Sequence, residues 1–248
     1  LSLLASYGRG YRSPQARQLE EGENAPYATV DSAEVGARAK LGEHNAFEVT
    51  VAAFRTHLSL DLAFDPSEGR LERIGPSTRR GLATQILARP WRWAVASLSA
   101  TWVQATLDAP PPPTPDNPDP PFTPGELLPY VPPVVLRADL GAHATLWRWW
   151  GAGLRGRAGL GATWLASRPL PYSQFSDPIG LCDVSASLGW RALTLGVEIS
   201  NAFNSQYAAS EYSFVSDWGA STTPSLLPAR HFAAGPPRSV MFTLEARL

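Results

Sequence analysis

Val134-Val135-Leu136-Arg137-Ala138-Asp139-Leu140-Gly141-Ala142-His143-Ala144-Thr145-Leu146, followed by Trp147-Arg148-Trp149-Trp150-Gly151, is the stretch that decides the fold. On one parity Val134, Leu136, Ala138, Leu140, Ala142, Ala144 and Leu146 are all apolar. On the other, after Val135, stand Arg137, Asp139, Gly141, His143 and Thr145. Beyond the tryptophans the alternation restarts: Leu154, Ala158, Leu160, Ala162 and Trp164, with Gly156 among them, oppose Arg155, Arg157, Gly159, Gly161 and Thr163. A period of two means strands, because successive side chains point to opposite faces of a sheet. Three tryptophans around one arginine at a tight turn suit a membrane interface, where an indole wants one wet and one oily edge. The segment reads as a hairpin of a transmembrane β-barrel.

Composition agrees. The chain of 248 residues carries a formal charge of −1, a single cysteine (Cys182) and a single lysine (Lys40). It has no apolar run long enough for a membrane helix. The mean hydropathy is a bland −0.14, as expected when only half of each strand faces lipid. No basic patch or tail points to nucleic acid. The opening Leu1-Ser2-Leu3-Leu4-Ala5-Ser6-Tyr7 shows no signal-peptide pattern and starts inside a strand of about seven residues. The expectation is a C-terminal piece of a longer protein.

The same alternation recurs along the chain. Ala33, Val35, Ala37, Ala39 and Leu41 oppose Ser32, Glu34, Gly36, Arg38 and Lys40; Phe47, Val49, Val51 and Ala53 oppose Glu48, Thr50 and Ala52. Residues 71–88 return with weak alternation, interrupted at Gly75-Pro76, and 93–107 carry Ala96, Leu98, Ala100 and Trp102 on one face. Later strands are expected at 181–190, 193–200 and 240–248. Tight turns fall at 42–45, 89–92, 147–151 and 191–192, and long loops at 8–30, 64–70, 108–133, 166–180 and 204–235. The stretch 108–133 is too rich in proline for a ladder. Short and long connections in strict alternation are the mark of an antiparallel up-and-down outer-membrane barrel. Trp91, Trp93, Trp147, Trp149, Trp150 and Trp190 all sit at the short-turn end, where they would form a membrane-interface girdle. About ten strands are expected.

Five segments resemble TonB-dependent outer-membrane receptors, in the order that family has them. Tyr7-Gly8-Arg9-Gly10-Tyr11-Arg12-Ser13-Pro14 is similar to the family's segment leaving a strand for an extracellular loop. Glu34-Val35-Gly36 with Phe47 and Ala53-Phe54-Arg55 resembles the next hairpin, and Arg80-Gly81-Leu82 a following strand, with Ala83 where the family has Glu. Asn201-Ala202-Phe203-Asn204 with Tyr207, and Gly235-Pro236-Pro237-Arg238-Ser239-Val240, resemble the approach to the last two strands. The family usually ends in an aromatic residue; this chain ends in Leu248.

The resemblance implies that residues 1–248 are about ten C-terminal strands of a barrel of about twenty-two. An N-terminal plug domain and the earlier strands would then lie outside the chain. It implies a receptor in the outer membrane of a Gram-negative cell, taking up a scarce bulky nutrient, an iron–siderophore before cobalamin or an oligosaccharide. Its partners would be outer-membrane lipid, its own plug and remaining strands, and the TonB energy-coupling complex reached through the plug.

Candidate ligand contacts are the loop residues Tyr172, Phe175, Tyr212, Trp218, Arg230 and His231, where aromatics stand beside charges. The lumen-facing set is Glu34, Arg38, Arg137, Asp139, Arg155, Arg157, Glu198 and Glu245. Such residues line a solute path, pair along the wall or meet a plug. His44, His57, His143 and His231 lack metal-ligand spacing, and no catalytic motif is present, so neither metal, cofactor nor catalytic residue is expected. Two rivals remain: a self-closed ten-stranded barrel with omptin-like protease chemistry, in which His231 would face Asp217, and a soluble β-sandwich.

Overall fold

The computed structural model describes residues 1–13, 27–43, 46–65, 69–110, 123–217 and 225–247. Its strands in chain order are β1 (Ser2–Arg12), β2 (Ala28–Leu41), β3 (Phe47–Asp65), β4 (Arg70–Trp91), β5 (Ala94–Leu107), β6 (Val134–Trp149), β7 (Ala152–Leu165), β8 (Pro169–Leu170), β9 (Gln174–Phe175), β10 (Ile179–Trp190), β11 (Leu193–Ser200), β12 (Ala208–Ser216), β13 (Leu227–Ala234) and β14 (Ser239–Ala246). Ten of them form one antiparallel sheet in the order β1-β2-β3-β4-β5-β6-β7-β10-β11-β14; β8–β9 and β12–β13 are separate hairpins.

The alternation becomes two faces. One hydrogen-bonded row runs Leu41, Phe47, Ala88, Ala96, Leu140, Leu160, Val184, Ile199 and Val240. The next on that face holds Ala39, Val49, Ile86, Leu98, Ala138, Ala162 and Cys182. Between them on the other face lies Lys40, Glu48, Leu87, Ser97, Asp139, Gly161 and Asp183. The apolar face is bare: Leu140 is 55% exposed, Phe242 74% and Leu244 73%. A sandwich buries that face against a second sheet; none covers it among the described residues. Lipid is the solvent that suits it. What conventional core exists is small, Ala105, Leu107 and Leu128 with Ile74 and Val131, under the loops.

Hairpins β2–β3, β4–β5, β6–β7 and β10–β11 pair nearest neighbours, so their four turns share one end of the sheet. Trp91, Trp93, Trp147, Trp149, Trp150 and Trp190 lie at that end. Trp91 stacks on Trp93 at 5.1 Å, and the Arg191 guanidinium lies 4.8 Å above the Trp190 ring. At the β6–β7 turn Trp150 and Gly151 both take positive φ (46° and 75°), the hand that matches the twist of the flanking strands.

Several boundaries differ from the sequence reading. The first strand has eleven residues, not about seven: Arg9, Gly10, Tyr11 and Arg12 continue the ladder opposite Asp31, Val30, Thr29 and Ala28. The expected 64–70 loop is a short reversal, because β3 reaches Asp65 and β4 starts at Arg70. Strand β4 also runs through Gly75-Pro76, where the register shifts opposite Asp61. The turn set at 89–92 narrows to Arg92-Trp93. The loop set at 108–133 returns along β5, with Leu107 N–H donating to Glu126 O and Leu128 N–H to Ala105 O, both at 2.9 Å. The loops set at 166–180 and 204–235 each contain a hairpin. Except at the 89–92 turn, the common cause is that these segments rise beyond the apolar band, where nothing enforces alternation.

Both outer edges of the sheet are open. Strand β1 pairs with β2 and β14 with β11, and no ladder joins β1 to β14 among the described residues. Bare edges leave unpaired N–H and C=O groups that hydrocarbon does not tolerate. This is part of a barrel, and the arrangement removes the self-closed alternative.

Candidate ligand-binding site at the loop end

The loops fold together through contacts between hairpins. Strands β3 and β4 carry Phe64 up to Tyr212 of β12, ring centroids 5.4 Å apart, and Tyr130 meets the same ring edge-on at 5.6 Å. Tyr130 N–H donates to Pro169 O (2.8 Å), tying the return of the proline-rich segment to β8. Hairpin β8–β9 is joined to β12–β13 by Ser213 Oγ donating to Gln174 Oε1 (3.0 Å) and by Arg230 Nη1 donating to Phe175 O (2.9 Å). Arg230 also faces Glu211 at 3.1 Å and Asp177 at 3.4 Å. Glu211 is 4% exposed and Ser213 1%, so the inward face of β12 is polar and satisfied by pairing. Beside this cluster opens a cleft of about 540 Å³ lined by Asp177, Tyr207, Glu211, Arg230, Phe232 and Gly235.

The expected ligand contacts therefore divide. Arg230 lines the cleft, held by two carboxylates. Tyr172, 56% exposed in the β8–β9 turn, and Phe175, 54% exposed, present their rings outward. Tyr212 packs between Phe64 and Tyr130. His231 stacks on Phe214 at 4.0 Å and shares a hydrogen bond with Ser216 Oγ. Asp217 accepts from Ser225 N–H (3.1 Å), so it and His231 have different partners. Trp218 lies outside the described residues.

Beneath the loops the sheet's charged face holds Glu34, Arg38, Arg137, Asp139, Arg155, Arg157, Glu198 and Glu245 on one parity, opposite the apolar rows. Arg137 is a hub: it donates to Asp139 Oδ1 (2.8 Å from Nε), to Thr163 Oγ1 (2.8 Å) and to Asp183 Oδ2 (3.3 Å). Arg38 pairs with Glu48 and Arg247 with Glu245. Arg155 and Arg157, lower on the wall beside His143, have no acidic partner among the described residues. No cluster of metal ligands occurs among the described residues.

Two polar constellations take shape only through the pairing of strands and loops. At the register shift, Asp61 is 2% exposed and accepts from Ser77 Oγ (2.6 Å), Arg79 Nη2 (2.6 Å) and Leu62 N–H (2.8 Å), with Arg12 Nη2 at 3.9 Å. The Gly75-Pro76 interruption was its one visible sign. The second is a clamp on the last strands: Asn201 donates to Ser205 O and Pro236 O and accepts from Ser205 N–H, while its own N–H reaches Asp183 Oδ1. Asn204 Oδ1 accepts from Arg238 N–H, and Gly235 lies under the Tyr207 ring. Sequence similarity marked Asn201, Asn204, Tyr207 and Gly235; geometry shows that they hold the last loop to the wall.

Three other marked segments meet in one row, Glu34, Phe54 and Gly81. A Cβ on Gly81 would collide with Trp102 O and with the Phe54 ring. The ring covers a bare stretch of strand that only glycine allows.

Comparison with known proteins supplies the context. The family profile described as "TonB dependent receptor-like, beta-barrel" matches residues 1–202. No curated protein sequence matches the chain. Among solved structures, the ferric-catecholate import receptor Fiu from E. coli K12 in its closed form superposes with a TM-score of 0.67 at 16% identity, over 98% of this chain and 32% of that one. The ferric preacinetobactin receptor BauA from Acinetobacter baumannii gives 0.68 at 17%, over 98% and 34%. The copper transporter OprC gives 0.64 at 12%, over 98% and 36%. The chain spans about a third of the length of these proteins.

Proposed function

Because the chain belongs to the TonB-dependent receptor β-barrel family, we propose that it is the C-terminal part of a receptor that moves a bulky, scarce nutrient across the Gram-negative outer membrane. The observation that carries this is the pairing of one bare apolar face with one charged face in a sheet whose edges need further strands. Two partners follow. The remaining strands complete the ladder beyond β1 and β14, closing a barrel of about twenty-two. The plug sits against the charged face, where Arg155 and Arg157 wait for acidic groups, and couples the receptor to TonB.

An iron–siderophore is the favoured cargo. Fiu is by name a ferric-catecholate import receptor and BauA a ferric preacinetobactin receptor, whereas OprC is a copper transporter. The cleft combines the rings of Tyr207 and Phe232 with Arg230, itself paired to Asp177 and Glu211, and Phe175 and Tyr172 stand exposed nearby. Aromatic chelates stack on such rings, whereas a bare copper ion needs a cluster of ligands. The test is tryptophan-fluorescence titration of the full-length receptor with a ferric catecholate, a ferric hydroxamate, cobalamin and Cu²⁺. The ferric catecholate is expected to bind most tightly, and Tyr172→Ala with Phe175→Ala to weaken it about tenfold, the loss of roughly 1.4 kcal/mol of stacking. Preference for Cu²⁺ or cobalamin would overturn the cargo assignment.

A further inference from the structure

The apolar face ends abruptly on its loop side. The last uncharged row there is Ala5, Val35, Ala53, Leu82, Trp102 and Val134. The next, still on the outward parity, is Tyr7, Ala33, Arg55, Arg80 and Gln104, and above it come Arg9, Asp31, His57, Thr78 and Thr106. Arg55 and Arg80 stand directly opposite each other across β3 and β4, an arrangement of like charges that destabilises a sheet unless an anion lies between them. The acids nearby are engaged. Asp31 accepts from Arg9 (2.6 Å) and Tyr7 (2.9 Å), and Asp108 from Thr78 (2.7 Å) while facing His57 at 3.1 Å. Gln104 Oε1 takes two bonds from Arg80, 3.0 and 2.8 Å, which fixes that guanidinium in place. Arg55 is exposed and has no ion-pair partner among the described residues. Together Arg55, Arg80, Gln104, Thr78 and Asp108 line an outward-facing cleft of about 500 Å³.

We propose that this cleft seats the phosphate of an outer-leaflet lipid. Height decides the occupant. Arg55 stands on the same face as Phe47, beside the β2–β3 turn, and above Val49, Val51 and Ala53. That is close to the 9–11 residues with which a tilted strand crosses a bilayer. The guanidiniums thus reach the outer headgroup layer, with Trp102 just below as an interfacial aromatic. Two arginines meeting one phosphate form the strong, charge-assisted type of hydrogen bond. An anion dissolved in water would have no reason to favour a cleft on the lipid side of the wall.

The inference rests on the membrane reading above, and the experiment separates the two. The full-length receptor is folded into phosphatidylcholine vesicles containing bis-phosphorylated lipid A, or fully dephosphorylated lipid A, and retention of the glycolipid is measured by native mass spectrometry after detergent extraction. Bis-phosphorylated lipid A should be retained at least tenfold better than the dephosphorylated form, and Arg55→Gln with Arg80→Gln should abolish that preference. Arg9→Gln, on the same face but committed to Asp31, should leave it within twofold. Millimolar inorganic phosphate should not compete. Equal retention by the double variant, equal loss in Arg9→Gln, or displacement by inorganic phosphate overturns the proposal, the last in favour of a soluble anion. Heat-modifiable, protease-protected insertion of the same samples reports the membrane reading independently; failure there sinks both.

Discussion

Val184 and Ser185 are sequence neighbours at the middle of β10, on opposite faces of the sheet. Val184 lies in the outward row between Leu160 and Ile199. An arginine there sits near the midplane of the bilayer, where a guanidinium on the lipid face costs about 2–4 kcal/mol. Ser185 lies opposite Glu198 on β11, beside Gly159 on β7. An arginine there gains a cross-strand partner of opposite charge, about 0.2–1 kcal/mol, and finds room over a residue without a side chain. Depth and backbone are the same for both, so only the face differs. The expected gap of at least about 2 kcal/mol is roughly a 30-fold difference in the folded-to-unfolded ratio. Urea titration of the full-length receptor in phosphatidylcholine vesicles, followed by heat-modifiable mobility, measures it. Equal costs, or a milder effect at Val184, would refute the assignment of faces and with it the membrane reading of the sheet.

Phe54→Ala uncovers Gly81 and removes a half-buried ring, so it should cost about 1–2 kcal/mol in the same titration, with Phe54→Tyr near neutral. Asp61→Ala removes the acceptor of buried Ser77 and half-buried Arg79 and should lower local stability of the β3–β4 extension by about 1–3 kcal/mol. Faster hydrogen exchange confined to the amides around 58–64 and 71–79 is the expected readout, and unchanged protection contradicts it. Asn201→Ala deletes three side-chain hydrogen bonds, about 2–3 kcal/mol in sum. It should loosen the Ser205 and Arg238 amides while leaving β6–β7 exchange as it was.

Lipid is why so much of this fold was legible. A strand with hydrocarbon on one side must alternate, and Val134 to Leu146 and Leu181 to Trp190 do so almost without exception. The tryptophans mark the turn end for the same reason. Above the bilayer that constraint lapses. Arg9 and Tyr11 pair in a ladder although both faces are wet, and β12 buries Glu211 and Ser213 rather than apolar residues, so hydropathy reads it as loop. The Asp61 network was hidden because it depends on a register shift that only pairing reveals. Of the site, chemistry was visible and placement was not: nothing in the spacing told the exposed Phe175 from Tyr212, which is wedged between two rings.

The registers also separate two coordinates that a flat drawing of the sheet would merge. The hydrogen-bonded row that leaves β2 at Leu41, its last residue, arrives on β14 at Val240, its second. Since Leu41 and Ala246 both stand at the turn end, the row has climbed roughly 20 Å at about 3.4 Å per residue. Rows are therefore ramps winding up the wall, and depth has to be assigned strand by strand. The line Lys40, Glu48, Asp139 and Asp183 begins at the turn-end rim, one residue from the end of β2, and reaches mid-strand on β10. These charges therefore stand at several heights along a ramp, Lys40 lowest, rather than as a ring at one level.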